Sequence, residues 1–200
     1  MKSRKGEWGY FSSEKRRRIL TTSVLFAIPI FIYVTSFLYF GTRRNLMTVV
    51  AMVGIIPAAI SCVGLIMILM RRSLPEEEYR ELHAHEGNLT VAYELYLTSE
   101  KQNALVDCLA ICGSEVVGYV SDPKTDLHFA QDHLQKMLRA ASFKVSVHML
   151  GDRRQFIRRM DSMNEHADEL RKGLTFTPGE AWKGYGREDM IRHSALAVSL

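Results

Sequence analysis

Four side chains stand out for the chemistry their types and spacing could do. Asp107 lies in a short apolar, β-rich run, Asp122-Pro123-Lys124 closes the next such run just ahead of a helix, and Glu94 precedes both. Competing constellations are weaker. Cys108 and Cys112 are four apart, so on a strand they share a face, but zinc needs about four clustered ligands and no second pair exists. With Cys62 they read as small apolar fillers. His83-Ala84-His85-Glu86 has the residue types of a metal site, yet positions i and i+2 do not share a helical face, and neither do His128 and His133. A phosphate-cradling glycine loop, a G-x-S-x-G elbow and a paired H-E-x-x-H are all missing from the sequence, which removes the motif basis for nucleotide-binding, serine-hydrolase and zinc-protease readings.

A carboxylate on one strand, then a strand-terminal acid-x-Lys before a helix, resembles the layout of the restriction-endonuclease-like PD-(D/E)xK family over residues 86–150. The resemblance implies Asp107, Asp122 and Lys124 as catalytic residues, with Glu94 in the place of the family's additional acid. It also implies Mg²⁺ or Mn²⁺ on Asp107 and Asp122, where the ion would polarise a phosphate and activate water. Pro123, inside the signature, departs from the family pattern. As a plain turn, Asp-Pro-Lys is common, because aspartate and proline are turn formers.

The elements that would position these residues split the chain in two. Ile19–Phe40 and Leu46–Met70 are charge-free apolar stretches separated only by Gly41-Thr42-Arg43-Arg44-Asn45. As helices they reach roughly 33 and 38 Å, enough for a hydrocarbon core of about 30 Å. The sequence predicts a two-helix transmembrane hairpin, with spans 19–40 and 46–70 inside region 19–70. Ahead of it comes a basic cytoplasmic leader, 1–18, and behind it a small cytoplasmic α/β (α+β) domain, 73–200. The first 72 residues hold eleven basic and two acidic side chains; the remainder hold fifteen and twenty. The pI of about 9.0 therefore belongs to the membrane-proximal part, and a domain with surplus acid is a poor fit to nucleic acid. Basic residues flanking the spans favour the cytoplasm. An even number of spans puts both termini there, in a multi-pass protein of the cell membrane.

Gly54, Ala58, Ser61 and Gly64/Leu65 form a small-residue stripe on the second span, suited to close helix packing within one hairpin or between chains. Ser23, Ala27 and Thr35 offer a matching surface on the first. Neither span contains an ionisable side chain of the kind ion pathways use, so an anchor is expected rather than a transporter.

In the tail, Pro75 with acids behind it starts a helix to about Glu86. Leu89, Ala92, Tyr93 and Tyr96 fit a helical stripe. Residues 104–112 and 116–120 read as a β-hairpin turning at Gly113-Ser114. A helix over 126–141, a strand over 143–150, a helix from Gly151-Asp152 to about Leu170 and a last helix over 188–198 follow. The expected order is α–α–β–β–α–β–α–α.

The whole chain also resembles a group of small two-span bacterial membrane proteins, some of them labelled O-linked GlcNAc transferase-like. Residues 14–18 (EKRRR), 63–67 (VGLIM), 92–99 (AYELYLTS) and 109–113 (LAICG) carry that likeness. The label itself finds no support: about 128 tail residues are few for a sugar-nucleotide transferase, and no helical repeat is present. The reading favoured is an integral membrane protein without a cofactor, whose tail binds or scaffolds at the membrane, with the bilayer and a protein partner or second copy as its contacts. A membrane-tethered, divalent-metal-dependent nuclease is the alternative. A weaker one is an anionic-lipid sensor using the leader and Arg153, Arg154, Arg158 and Arg159. A scaffold is expected to expose aromatic surface near Trp182 and Tyr185.

Overall fold

A computed structural model describes residues 5–41, 46–99, 102–174 and 184–199. Two compact units account for them.

The first unit is helical: α1 (Tyr10–Phe40) and α2 (Leu46–Leu69). Both are long and apolar enough to cross a membrane. Their large apolar side chains, such as Phe31, Leu38, Val49 and Ile60, are exposed, whereas a soluble helix would bury such a face. Outside this unit, the exposed large hydrophobic residues are Leu174 and Tyr185 among those described. Helix α1 begins well before the apolar stretch and takes in Lys15–Arg18, with Glu14 paired to Arg17 and Arg18.

The small-residue stripe packs within the hairpin. Thr22 and Ser61 hydroxyls lie 2.7 Å apart, Arg18 Nη1 donates to the Gly64 carbonyl, a side chain at Gly54 would meet Pro29, and Ala58 is fully buried. The matching surface on α1 is Thr22, Pro29 and Ser36, not Ser23, Ala27 and Thr35, which are exposed. Thr35 instead bonds carbonyls of its own helix. The contact positions follow a 3–4 spacing that small residues make closer.

The second unit joins residues 5–10 to residues 73–199. Its elements are α3 (Glu76–Ala84), β1 (Thr90–Thr98), β2 (Asn103–Cys112), β3 (Glu115–Tyr119), α4 (Leu127–Ala140), β4 (Ser146–Leu150), α5 (Arg153–Glu165), α6 (Ala167–Arg171) and α7 (Arg187–Val198). The small α/β class holds. Two segments differ from expectation: 89–97 is a strand rather than a helix, and the helix expected to run to Leu170 breaks at His166.

The sheet order is β1-β2-β3-β4, antiparallel except for the parallel β3–β4 pair, which α4 connects. Helices α4 and α7 cover one face over Ala130, Leu134, Leu138, Ile191 and Ala195. Helices α3, α5 and α6 cover the other over Leu82, Phe156, Met160, Met163 and Ala167. Asp126 caps α4 by accepting from His128 N and Phe129 N, which stops the preceding turn and starts the helix. Gly113, at φ 58°, makes the β2–β3 turn.

Residues 5–8 act as a strap on this domain. The Gly6 carbonyl accepts from Tyr93 N on the outer edge of β1, Lys5 bonds the Ser199 carbonyl, and Trp8 Nε1 donates to the Leu74 carbonyl. The Trp8 ring stacks on Tyr79 at 4.5 Å, and Tyr79 meets Tyr93 edge-on.

Candidate functional site

The strands β1 and β2 share one irregularity, and it creates the most unusual chemistry in the domain. Facing the α4–α7 layer are Ala92, Leu95 and Leu97 on β1, and Ala104, Val106, Leu109 and Ile111 on β2. Each series contains one step of three where a pleated strand has steps of two. The odd residues are Glu94 and Asp107. Because both strands slip at the same place, pairing resumes in register, Tyr93 with Cys108 and Leu95 with Val106. Glu94 takes a φ of 54°, a left-handed conformation that costs a non-glycine residue about 1 kcal/mol or more.

Glu94 and Asp107 are thus opposed and both buried. Ser73 donates to Glu94 Oε1; Ser121 N donates to Asp107 Oδ2 at 2.7 Å. Burial drives the Asp107 carboxyl above its ordinary range. The Ser121 bonds pull it back in part, and the charges of Glu78 and Glu94 push it up further. Tyr119 is raised likewise, by burial first and then by Glu78 and Asp107. Arg153, at the start of α5, supplies positive charge and pairs with Glu78 and Glu81. Asp107 is thus a buried carboxyl whose charged form is disfavoured by its surroundings.

Asp122 and Lys124 lie elsewhere. The Asp122 carboxylate accepts from Lys124 N at 3.0 Å, and its carbonyl accepts from Thr125 N, so the segment is a turn closed on itself. Lys124 is exposed. The two residues line a polar hollow of about 310 Å³ with Asn103, Asp126 and Phe129, a lining that does not include Asp107. The register therefore sets Glu94 opposite Asp107 and leaves Asp122 and Lys124 in a separate turn. These donors do not fit a Mg²⁺ or Mn²⁺ centre. Asp107 Oδ2 and Asp122 Oδ1 each accept a backbone N–H in separate places, and among the described residues no three His, Cys, Asp or Glu side chains are grouped to hold a metal. No step through a metal follows.

The cysteines are free thiols, and burial pushes Cys108 and Cys112 upward, away from the reactive thiolate. His83 and His85 turn to different carboxylates, Glu86 and Asp161. Of the α5 arginines, Arg153 and Arg159 are matched by carboxylates, leaving Arg154 and Arg158 on the exposed face. Tyr185 is half exposed. Trp182, Lys2, Arg4, Arg43 and Arg44 lie outside the described residues.

Sequence reasoning missed Glu188. Its carboxylate accepts from Arg171 Nε and Nη2, Gly113 N and Thr90 Oγ1, tying α6, α7, β1 and the β2–β3 turn together. Burial would raise this carboxyl, but the Arg171, Gly113 and Thr90 bonds hold it below the ordinary range. Its partners are up to 98 residues away in the chain, so no local pattern announces it. No family model, curated protein or solved structure matches this chain.

Proposed function

We propose that the protein is an integral membrane protein held by the α1–α2 hairpin, with both ends of the hairpin at the cytoplasmic face and an α/β domain that binds a partner there. One observation carries the topology: residues before α1 and residues after α2 fold into the same compact unit. Gly6 pairs with Tyr93, and Trp8 bonds the Leu74 carbonyl. A domain built from both flanks of a hairpin requires those flanks on one side of a bilayer. The basic residues Lys15, Arg16, Arg17, Arg18, Arg71 and Arg72 support the cytoplasmic side. The exposed apolar faces of both helices support lipid as their surroundings.

Single cysteines at Ser13 and Lys172, in a background lacking Cys62, Cys108 and Cys112, test this. In intact cells both should resist a membrane-impermeant maleimide and react after permeabilisation. Labelling of either one before permeabilisation, or release of the protein by alkaline carbonate, overturns the reading.

A further inference from the structure

Helix α4 closes with a turn that glycine makes most easily. Phe143 N donates to the Leu138 carbonyl and Ser142 N to the Arg139 carbonyl, both at 2.9 Å. This pair of bonds sets the residue after the Ala141 cap in the left-handed region. That residue is Ser142, at φ 68°. A side chain there costs stability that glycine would spare. The Ser142 hydroxyl holds no hydrogen bond among the described residues, so no bond within the fold offsets that cost.

The turn borders a groove of about 620 Å³ lined by Arg139, Ser142, Phe143, Lys144 and Val145. Its size lies within the ~300–1,000 Å³ of small-ligand clefts. Arg139 and Lys144 are exposed, and their side chains hold no ion pair or hydrogen bond among the described residues. Arg187 adds a third positive charge beside them. It donates from Nη2 to the Lys144 carbonyl at 3.3 Å and from Nη1 to the Gly113 carbonyl, so its fork is fixed on backbone rather than on a carboxylate. Acids on the neighbouring β3 and α7 are engaged elsewhere: Glu115 by Arg159, Glu188 by Arg171 and Asp189 by Gly186 N. The carbonyls of Met137, Leu138 and Arg139 already accept from Ala141, Phe143 and Ser142, which blunts the negative end of the helix. In a tail with more acidic than basic side chains, the groove is a local reversal of charge.

We propose that this groove binds a phosphate monoester. Arg139 and Lys144 pair with the phosphoryl oxygens, the Ser142 hydroxyl donates a further bond, and Phe143 walls the ester group. A monoester carries about −1.5 to −2 at neutral pH, which suits two mobile cations beside a fixed third. A soluble phosphate ester and the headgroup of phosphatidic acid offer the same chemistry. Phosphate binding here does not depend on which side of the membrane the domain faces, so the maleimide result and the one below fail separately.

The test titrates the full chain in uncharged detergent with phenyl phosphate, and separately with dioctanoyl phosphatidic acid mixed into the micelles, followed by calorimetry. Saturable binding of at least one monoester is expected, and which of them binds separates a soluble ligand from a lipid headgroup. Arg139→Gln/Lys144→Gln should weaken it about tenfold, the effect of losing two exposed ion pairs. Ser142→Gly should weaken it about threefold, one hydrogen bond, while raising the melting temperature, because the strain leaves with the hydroxyl. A folding defect cannot then account for the loss. The proposal is overturned if neither monoester saturates the protein at millimolar concentration, or if either variant binds like the parent. Binding of phenol as tightly as phenyl phosphate, or of dioctanoyl phosphatidylcholine as tightly as the phosphatidic acid, overturns it as well.

Discussion

Glu94 on β1 and Asp107 on β2 stand directly opposed in the middle of the domain, both buried, at the one place where both strands lose their alternation. The pairing has a pH signature. Asp107 is raised by burial and by its acidic neighbours, so the stability it contributes is complete below the unfolded value of about 3.9 and is lost as pH rises through the raised folded value. Asp107→Asn keeps an oxygen for Ser121 N and removes the buried charge. It should raise stability at neutral pH by roughly 1 kcal/mol, about 4 °C in a domain of this size, and flatten the loss as pH rises above the ordinary aspartate value. Thermal unfolding of both proteins across that range checks it; a variant less stable than the parent at pH 7 would sink the assignment.

Glu188 works in the opposite sense. Its carboxyl is held down in the folded state by Arg171, Gly113 N and Thr90 against the effect of burial. The stability it supplies is present above the ordinary glutamate value of about 4.3 and is lost as pH falls through the lower folded value. Glu188→Ala leaves Gly113 N without its acceptor and the Arg171 guanidinium with the Asn88 carbonyl but no carboxylate, and should cost about 2–3 kcal/mol at neutral pH. Denaturant unfolding measures the loss, and most of that difference should disappear in strong acid.

Gly113 sits at φ 58°, and a Cβ there would run into the Leu170 carbonyl. Gly113→Ala therefore meets both backbone strain and a backbone obstacle that cannot swing aside. A loss of about 3 kcal/mol or more is expected, with the β2–β3 turn and α6 displaced together. Amide exchange at Cys112 and Leu170 should accelerate in step; protection retained at Leu170 would separate the two.

Within the hairpin, the Thr22 and Ser61 hydroxyls are 2.7 Å apart. Thr22→Cys/Ser61→Cys, with Cys62 replaced by serine, should oxidise within one chain, giving a compact monomer band on a non-reducing gel. A dimer band as the main product would assign the small-residue stripe to contacts between chains.

Much of this fold was legible because local patterns and tertiary burial agree. Ala130, Leu134 and Leu138 form a single stripe behind the Asp126 cap, and Gly113-Ser114 turns between two β-rich runs. Strand β1 was misread for a physical reason. Its slip at Glu94 puts Tyr93 on one face and Leu95 and Leu97 on the other, while helices cover both faces. The period of two vanishes, and Leu89, Ala92, Tyr93 and Tyr96 imitate a helix. Of the four site residues, the opposition of Glu94 and Asp107 follows from strand register, which no single strand's composition reveals. Asp122 and Lys124 kept the local meaning of their types, a turn.

The strap has a consequence for how the protein is made. Gly6 and Trp8 leave the ribosome long before Tyr93 and Ser199, the residues to which the strap is fastened or beside which it lies. Between the two events the chain must lay down both apolar helices. Closure of the domain thus comes last and draws on the earliest-made segment, so under the proposed topology a chain that inserts only one of its two apolar helices strands the strap across the bilayer from its docking edge. The bond from Tyr93 N to the Gly6 carbonyl then goes unmade, and the outer edge of β1 is left without that partner.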